Sequence, residues 1–155
     1  MDRNRQSTTL GEYRMQYIHF AVIAMLSYAF VPPLVRIASA TPDGMPAAVV
    51  SFYTNLLLVI GSLAVVIASG DSLTGYLNHS KMVYVLAGGI ALTVGILSYY
   101  EALSLGPVSI VTPIFGLFLV ISSVIGFVLL AEPVTAQKVL AIGFAALAII
   151  LVTVE

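Results

Sequence analysis

Several polar side chains of this 155-residue chain lie inside long apolar segments, where their chemistry needs a partner. Asn55 is the clearest example, because it falls within the uncharged stretch between Asp43 and Asp71. An amide removed from water without a partner is costly, so we expect Asn55, placed near mid-helix, to bond to another helix or to contact a solute. The candidate solute-binding residues share such a setting in or at the end of an apolar segment: Ser27, Tyr28, Arg36, Asn55, Tyr99, Glu101 and Pro113.

Three of these candidates carry hydroxyl groups. Ser27 and Tyr28 lie inside the first apolar segment, where a buried hydroxyl either bonds to its own backbone or contacts a solute. Tyr99 lies near the end of the third apolar segment. Its ring belongs either to an aromatic belt at the membrane interface or to the lining of a solute path.

Arg36 and Glu101 are the charged candidates, and each lies at the predicted outer end of its apolar segment. They reach water separately, pair with each other, or meet a charged solute. An exposed ion pair contributes only about 0–1 kcal/mol to stability. We therefore expect neither residue to contribute much to stability, with a direct ion pair as one open alternative.

Prolines inside apolar segments form the third kind of candidate. Pro113 and the pair Pro32-Pro33 each remove backbone N–H donors and clash with the carbonyl four residues earlier. Membrane helices tolerate such interruptions where neighbours or cavity water satisfy the freed groups, and discontinuous helices often surround a transporter's binding site. Each proline therefore marks either a structural kink or a helix of a binding site.

The residue patterns of the common enzyme classes do not occur in this sequence. There is no cysteine, which excludes disulfides, thiol catalysis and thiolate metal sites. The sequence also has no H-E-x-x-H, no phosphate-binding glycine loop and no G-x-S-x-G. We expect no catalytic residue, no metal and no cofactor, and no basic stretch suits nucleic acid.

The elements that position the candidates follow from the spacing of charge. Charged residues make up 8 % of the chain and hydrophobic residues 60 %, whereas a soluble domain is typically about 25 % charged. Four uncharged gaps have about the 20 residues that a helix needs to cross a bilayer, and a fifth does if Lys138 snorkels to the interface. This predicts an all-α polytopic membrane protein, a bundle of five transmembrane helices. The predicted spans are residues 16–38, 45–68, 81–103, 107–131 and 133–154, in a domain of residues 14–155 after a polar tail of residues 1–13.

Basic residues predict the orientation of the chain in the plasma membrane. The excess of basic residues on one side places the N-terminus in the cytoplasm and the C-terminus outside. Ala38-Ser39-Ala40 resembles a signal-peptide cleavage site, but the apolar run before it is too long, which favours a retained span. With five spans, the predicted cytoplasmic side holds Arg3, Arg5, Arg14, Lys81 and Lys138, and the other side holds Arg36.

A row of small residues, Ala87, Ala91 and Gly95, repeats every four positions along the third predicted span. Small residues allow helix backbones to approach closely within a membrane. The row serves either ordinary packing or a subunit interface, and we expect the closest helix contact of the protein or its dimer there.

The segment from Tyr99 to Ser109, YYEALSLGPVS, resembles the junction of spans three and four in EamA-type members of the drug/metabolite transporter superfamily. Residues 112–115, TPIF, resemble the family's proline region in span four. Residues 130–133, LAEP, resemble its L-G-E boundary, with Ala131 where glycine is usual, and Gly143 falls where the last span often has a glycine.

The resemblance implies a solute path between two five-span repeats of opposite orientation, lined mainly by spans one, three and four of each. It also places spans one and three beside each other along this path, so we expect Arg36 and Glu101 to act in gating or solute contact at its outer mouth. This chain corresponds to one repeat, so a second copy or a second five-span protein would complete the path, although the basic bias disfavours an antiparallel homodimer. We expect an oligomeric transporter or transporter half for small metabolites or drugs, in contact with the lipid bilayer. The alternative is a non-transporting subunit that regulates or stabilises a partner membrane protein.

Overall fold

The computed structural model describes residues 3–40 and 42–153, and this part of the chain is helical without strands, which confirms the predicted all-α fold. α1 begins within the predicted polar tail, whose first two residues lie outside the described part. The helices in chain order are α1 (Arg3–Ala29), α2 (Val31–Ser39), α3 (Ala47–Ser69), α4 (Met82–Leu105), α5 (Val108–Leu129) and α6 (Ala136–Thr153).

Among the described residues, four helical segments are long and apolar enough to cross a membrane: Met15–Ser39, Ala47–Ser69, Met82–Leu105 and Val108–Leu129. Their ends lie within two residues of the first four predicted spans. The fifth differs, because the apolar helix covers only Ala136–Val152. At 1.5 Å per residue this helix is about 26 Å long, shorter than a hydrocarbon core of about 30 Å. The end of the predicted fifth span, residue 154, lies outside the described residues.

The first span is interrupted between α1 and α2, at Phe30. Pro32 and Pro33 occupy the first turn of α2, where backbone N–H groups have no partner within the helix. The Phe30 N–H donates to the carbonyl of Ser27 at 3.3 Å. α5, in contrast, continues through Pro113 without a break. Only the first pair of prolines therefore coincides with a discontinuous helix.

Tertiary contacts divide the chain into two units, Met1–Leu34 and Val35–Glu155. In the second unit, α3 packs on α4, α4 on α5, and α5 on α6. Its core is small, and most of its residues lie near the start of α3 and near the end of α4. The buried core residues are Val35, Ala47, Val50, Ser51, Tyr99, Tyr100 and Leu103.

Most of the apolar surface of the spans is not covered by the chain itself. Within the most apolar part of each candidate span, between 0 and 11 % of the residues are buried. Exposed apolar surface of this extent is unfavourable in water and matches the interior of a bilayer.

The turn between α4 and α5 is tight because Gly106 has no side chain. A Cβ atom at Gly106 would lie 2.9 Å from Cγ2 of Val111, which is too close. The Gly106 N–H donates to the carbonyl of Ala102 at 2.8 Å, which closes the end of α4. This turn sets how the last turns of α4 face the first turns of α5.

Candidate functional site

Arg36 lies in the last turn of α2, and its side chain is half-buried. Its Nη1 donates to the carbonyl oxygens of Leu103 and Ser104, each at 2.8 Å. Both carbonyls belong to the last turn of α4, where four carbonyl groups have no partner within the helix. Arg36 therefore caps the carboxyl end of α4 from a different helix.

Electrostatic attraction also favours Arg36 at the carboxyl end of α4. The aligned peptide dipoles of a helix leave partial negative charge at its carboxyl end, so a cation there is stabilising. A third carbonyl of the last turn, that of Ala102, accepts the Gly106 N–H, and the Ser104 hydroxyl donates to the Glu101 carbonyl at 2.7 Å. Backbone carbonyl groups therefore bind the side of the guanidinium that faces α4.

Glu101 does not pair with Arg36. The Glu101 side chain is exposed, and no ion pair joins it to a basic residue in the described part of the chain. The direct pair considered from the sequence is therefore wrong. The guanidinium instead binds backbone carbonyl groups at the end of α4, and the Glu101 side chain stays exposed.

Asn55 bonds within its own helix. Its Nδ2 donates to the carbonyl of Ser51 at 2.8 Å and to the Ser51 hydroxyl at 3.3 Å. The interhelical bond considered from the sequence is not formed, although Asn55 lies near the middle of α3 as predicted. The Thr54 hydroxyl likewise donates back to the carbonyls of Val50 and Ser51. These polar groups are satisfied locally at the edge of the core.

A groove with a volume of about 360 Å³ opens between α4 and α5. This volume falls within the range of small-molecule sites, about 300–1,000 Å³. Among the described residues, no charged side chain lines the groove. The lining residues are Gly95, Ser98, Tyr99, Ala102, Val111, Ile114 and Phe115.

Tyr99 and Phe115 form an ordered aromatic wall of this groove. Their rings are stacked, with centroids 3.9 Å apart and planes inclined by 16°. The Tyr99 hydroxyl shares a hydrogen bond with the hydroxyl of Thr112 at 3.2 Å. Only 7 % of Tyr99 is exposed, unlike an aromatic side chain that anchors a helix at a membrane surface.

The remaining candidates do not line the groove. Pro113 is half-buried on α5, beside Thr112. Ser27 and Tyr28 lie on α1, in the unit that ends at Leu34, and both are exposed. Neither hydroxyl donates a hydrogen bond to a described residue, so the buried, backbone-bonded hydroxyl considered from the sequence is not found.

A second cavity, of about 260 Å³, lies between the end of α5 and the start of α6. The Lys138 Nζ donates to the Pro133 carbonyl at 3.0 Å and lies 5.6 Å from the centre of the Phe127 ring. The carboxylate of Glu132 occupies the space beside Gly126, where a Cβ atom would lie 3.5 Å from it. These contacts organise the α5–α6 turn.

The sequence did not single out the two residues of α5 that contact Tyr99, which are Thr112 and Phe115. Both lie on α5 one turn apart, and together they contact Tyr99 through its hydroxyl and its ring. The available signal was their spacing of three residues, which places side chains on one face of a helix. The two carbonyl groups that bind Arg36 carry no sequence signal at all.

The groove and its neighbouring helices fall within a recognised family. Residues 15–154 match the EamA-like transporter family. Neither a curated protein nor a solved structure matches the chain significantly. The family match covers every candidate span, and it agrees with the exposed apolar helices of an integral membrane protein. The chain therefore belongs to the EamA-like transporter family.

Proposed function

We propose that this protein moves small metabolites or drugs across the plasma membrane and that the groove between α4 and α5 forms part of the solute path. The observation that carries the proposal is the groove itself, which combines a volume of about 360 Å³ with a fixed aromatic wall. An uncharged lining with a few hydroxyl groups is typical of small-molecule sites.

A second five-span unit, in another copy or in a partner protein, completes the path in this proposal. Within the described residues of the second unit the groove is open on one side, and no neighbouring helix comes within 4 Å of a Cβ built on Gly95. Ala87 and Ala91 continue this exposed small-residue face along α4. A helix of a second unit would approach most closely along such a face.

The exposed small-residue face also supports the alternative function, a non-transporting subunit that stabilises or regulates a partner membrane protein. In that case a partner helix would fill the groove rather than enclose it. The two functions therefore differ in whether a small solute enters the groove in the assembled protein.

Transport by the purified protein in phosphatidylcholine proteoliposomes tests the proposed function. The measurement is uptake of radiolabelled amino acids, nucleosides and organic cations. For a solute that is taken up, Ser98→Leu should reduce the rate at least about tenfold, because the larger side chain projects into the groove. Ser62→Leu is the matched control, since Ser62 is an exposed serine of α3 outside the groove, and we expect its rate to be unchanged.

The absence of uptake for every solute, together with stable co-purification of a partner membrane protein, would favour the subunit function. Equal losses of uptake in Ser98→Leu and Ser62→Leu would show that the protein is a transporter whose solute path does not include the groove.

A further inference from the structure

The guanidinium of Arg36 has an unused hydrogen-bonding edge. Arg36 carries five N–H donors, and the two on Nη1 match the two carbonyl acceptors of Leu103 and Ser104. The Nε–H and the two Nη2–H groups donate to no described residue. The Nε and Nη2 donors point in parallel and fit the two oxygens of a carboxylate or phosphate group.

The charge of Arg36 also lacks a negatively charged partner. No described Asp or Glu side chain forms an ion pair with it. The carboxyl end of α4 supplies only about half an elementary charge. Among the described basic residues outside α1, Lys81 and Lys138 are exposed, whereas Arg36 is half-buried, where screening by water is weaker.

The contacts of Arg36 hold its free edge in a fixed place. Its neighbour Val35 is 3 % exposed, and Leu103, whose carbonyl it binds, is fully buried. Two hydrogen bonds of 2.8 Å to the rigid end of a helix restrict the rotamers of a long side chain before any ligand binds. A site ordered in advance loses less entropy when it binds.

We propose that the free Nε–Nη2 edge of Arg36 binds the carboxylate or phosphate group of an anionic ligand. This inference deepens the proposed function by naming the charge class of the ligand. The same chemistry has two possible sources, an anionic solute that enters the path and the headgroup of an anionic lipid. In either case Arg36 holds the anion and the end of α4 at once.

Equilibrium binding tests the solute source without any need for transport. The wild-type protein in phosphatidylcholine nanodiscs is titrated with benzoate and with benzamide, its uncharged counterpart, by calorimetry. A solute site at Arg36 should bind benzoate at least about tenfold more tightly than benzamide. Arg36→Gln, whose amide still donates to carbonyls, should abolish this preference, whereas the exposed-charge control Lys81→Gln should retain it.

Lipid retention tests the other source. Nanodiscs containing phosphatidylcholine and phosphatidylglycerol in equal parts are assembled, and native mass spectrometry counts the lipids that remain bound. A lipid site at Arg36 predicts preferential retention of phosphatidylglycerol by the wild type and by Lys81→Gln, and its loss in Arg36→Gln. Either preference, if it depends on Arg36, supports the proposal and identifies the source.

The proposal is overturned if neither benzoate nor phosphatidylglycerol is preferred, or if Arg36→Gln keeps the preference. Should Arg36→Gln fail to fold, ¹⁵N-arginine spectra of the wild-type protein test the proposal in its place. The proposal is wrong if no arginine Nε signal shifts when benzoate is added. Anion binding without transport would contradict the proposed transport function but not anion binding at Arg36. Transport of uncharged solutes without any preference for anions would contradict anion binding at Arg36 but not the transport function.

Discussion

At the scale of single residues, Ala131 adopts a backbone conformation that favours glycine. Its φ of 52° lies in the left-handed region, which costs a residue with a Cβ about 1–2 kcal/mol. Ala131→Gly should therefore raise the free energy of unfolding by about 1 kcal/mol, measured as a higher thermal midpoint in detergent. Ala145→Gly, on an exposed position inside α6, should lower it by a similar amount. A lower midpoint in Ala131→Gly as well would show that this turn is not strained.

The hydrogen bond between Tyr99 and Thr112 is a second residue-scale feature. Tyr99→Phe and Thr112→Val each remove one hydroxyl, and each should destabilise the protein by about 0.5–1.5 kcal/mol. Because the two hydroxyl groups bond to each other, the double variant should lose less than the sum of the single variants. Unfolding in mixed micelles measures this coupling, and Tyr84→Phe, at an exposed position, serves as the neutral control. Strictly additive losses would rule out an energetically coupled pair.

At the scale of an element, Pro113 weakens α5 without breaking it. Proline cannot donate to the Ser109 carbonyl, whereas alanine would restore that hydrogen bond. Pro113→Ala should therefore raise the thermal midpoint and slow hydrogen exchange in the first turns of α5. Pro107→Ala is the matched control, because Pro107 is the N-cap of α5, where the missing N–H has no helical partner. If both variants change the midpoint equally, the interruption at Pro113 has no special cost.

At the scale of the whole molecule, the second unit does not cover the face of Ala87, Ala91 and Gly95. The expected close contact along this face is not made among its described residues, because none of them lies within 4 Å of a Cβ built on Gly95. Gly95→Leu should therefore disturb assembly while leaving the helices of one chain folded, whereas Leu97→Ala should affect assembly much less. Analytical ultracentrifugation and circular dichroism separate these outcomes. An unchanged oligomeric state in Gly95→Leu would leave this face in contact with lipid.

Orientation is also a property of the whole molecule. Lys81 precedes α4 and Lys138 lies at the start of α6, on the side predicted to be cytoplasmic, and Arg36 at the end of α2 lies on the predicted outer side. Reporters that are active on one side of the membrane, fused to either end, should place the N-terminus inside and the C-terminus outside. Equal signals from both sides would indicate two inserted orientations and reopen an antiparallel homodimer.

The sequence by itself determined the fold class, four of the five spans and the family. Lipid excludes charge and requires internal hydrogen bonding, so the distance between charged residues nearly fixes where helices begin and end. The fifth helix begins later than predicted, at Ala136, because Thr135 caps it: the Thr135 hydroxyl accepts the Lys138 N–H at 3.3 Å, a contact that hydrophobicity does not encode. The prolines at the start of α2 and inside α5 look alike in sequence, yet only the first pair coincides with a break.

Only the tertiary structure decided which side chains meet. Arg36 and Glu101 are predicted at the same membrane boundary, but the guanidinium binds the backbone carbonyls of Leu103 and Ser104 while the Glu101 side chain stays exposed. Asn55 donates a hydrogen bond to the carbonyl of Ser51, one turn earlier in the same helix. Tyr99 was predicted as a candidate, while its contacts with Thr112 and Phe115 depend on how α4 packs on α5. Depth in the membrane follows from position along the chain, whereas contact depends on helix rotation and packing, which the spacing of charges leaves undetermined.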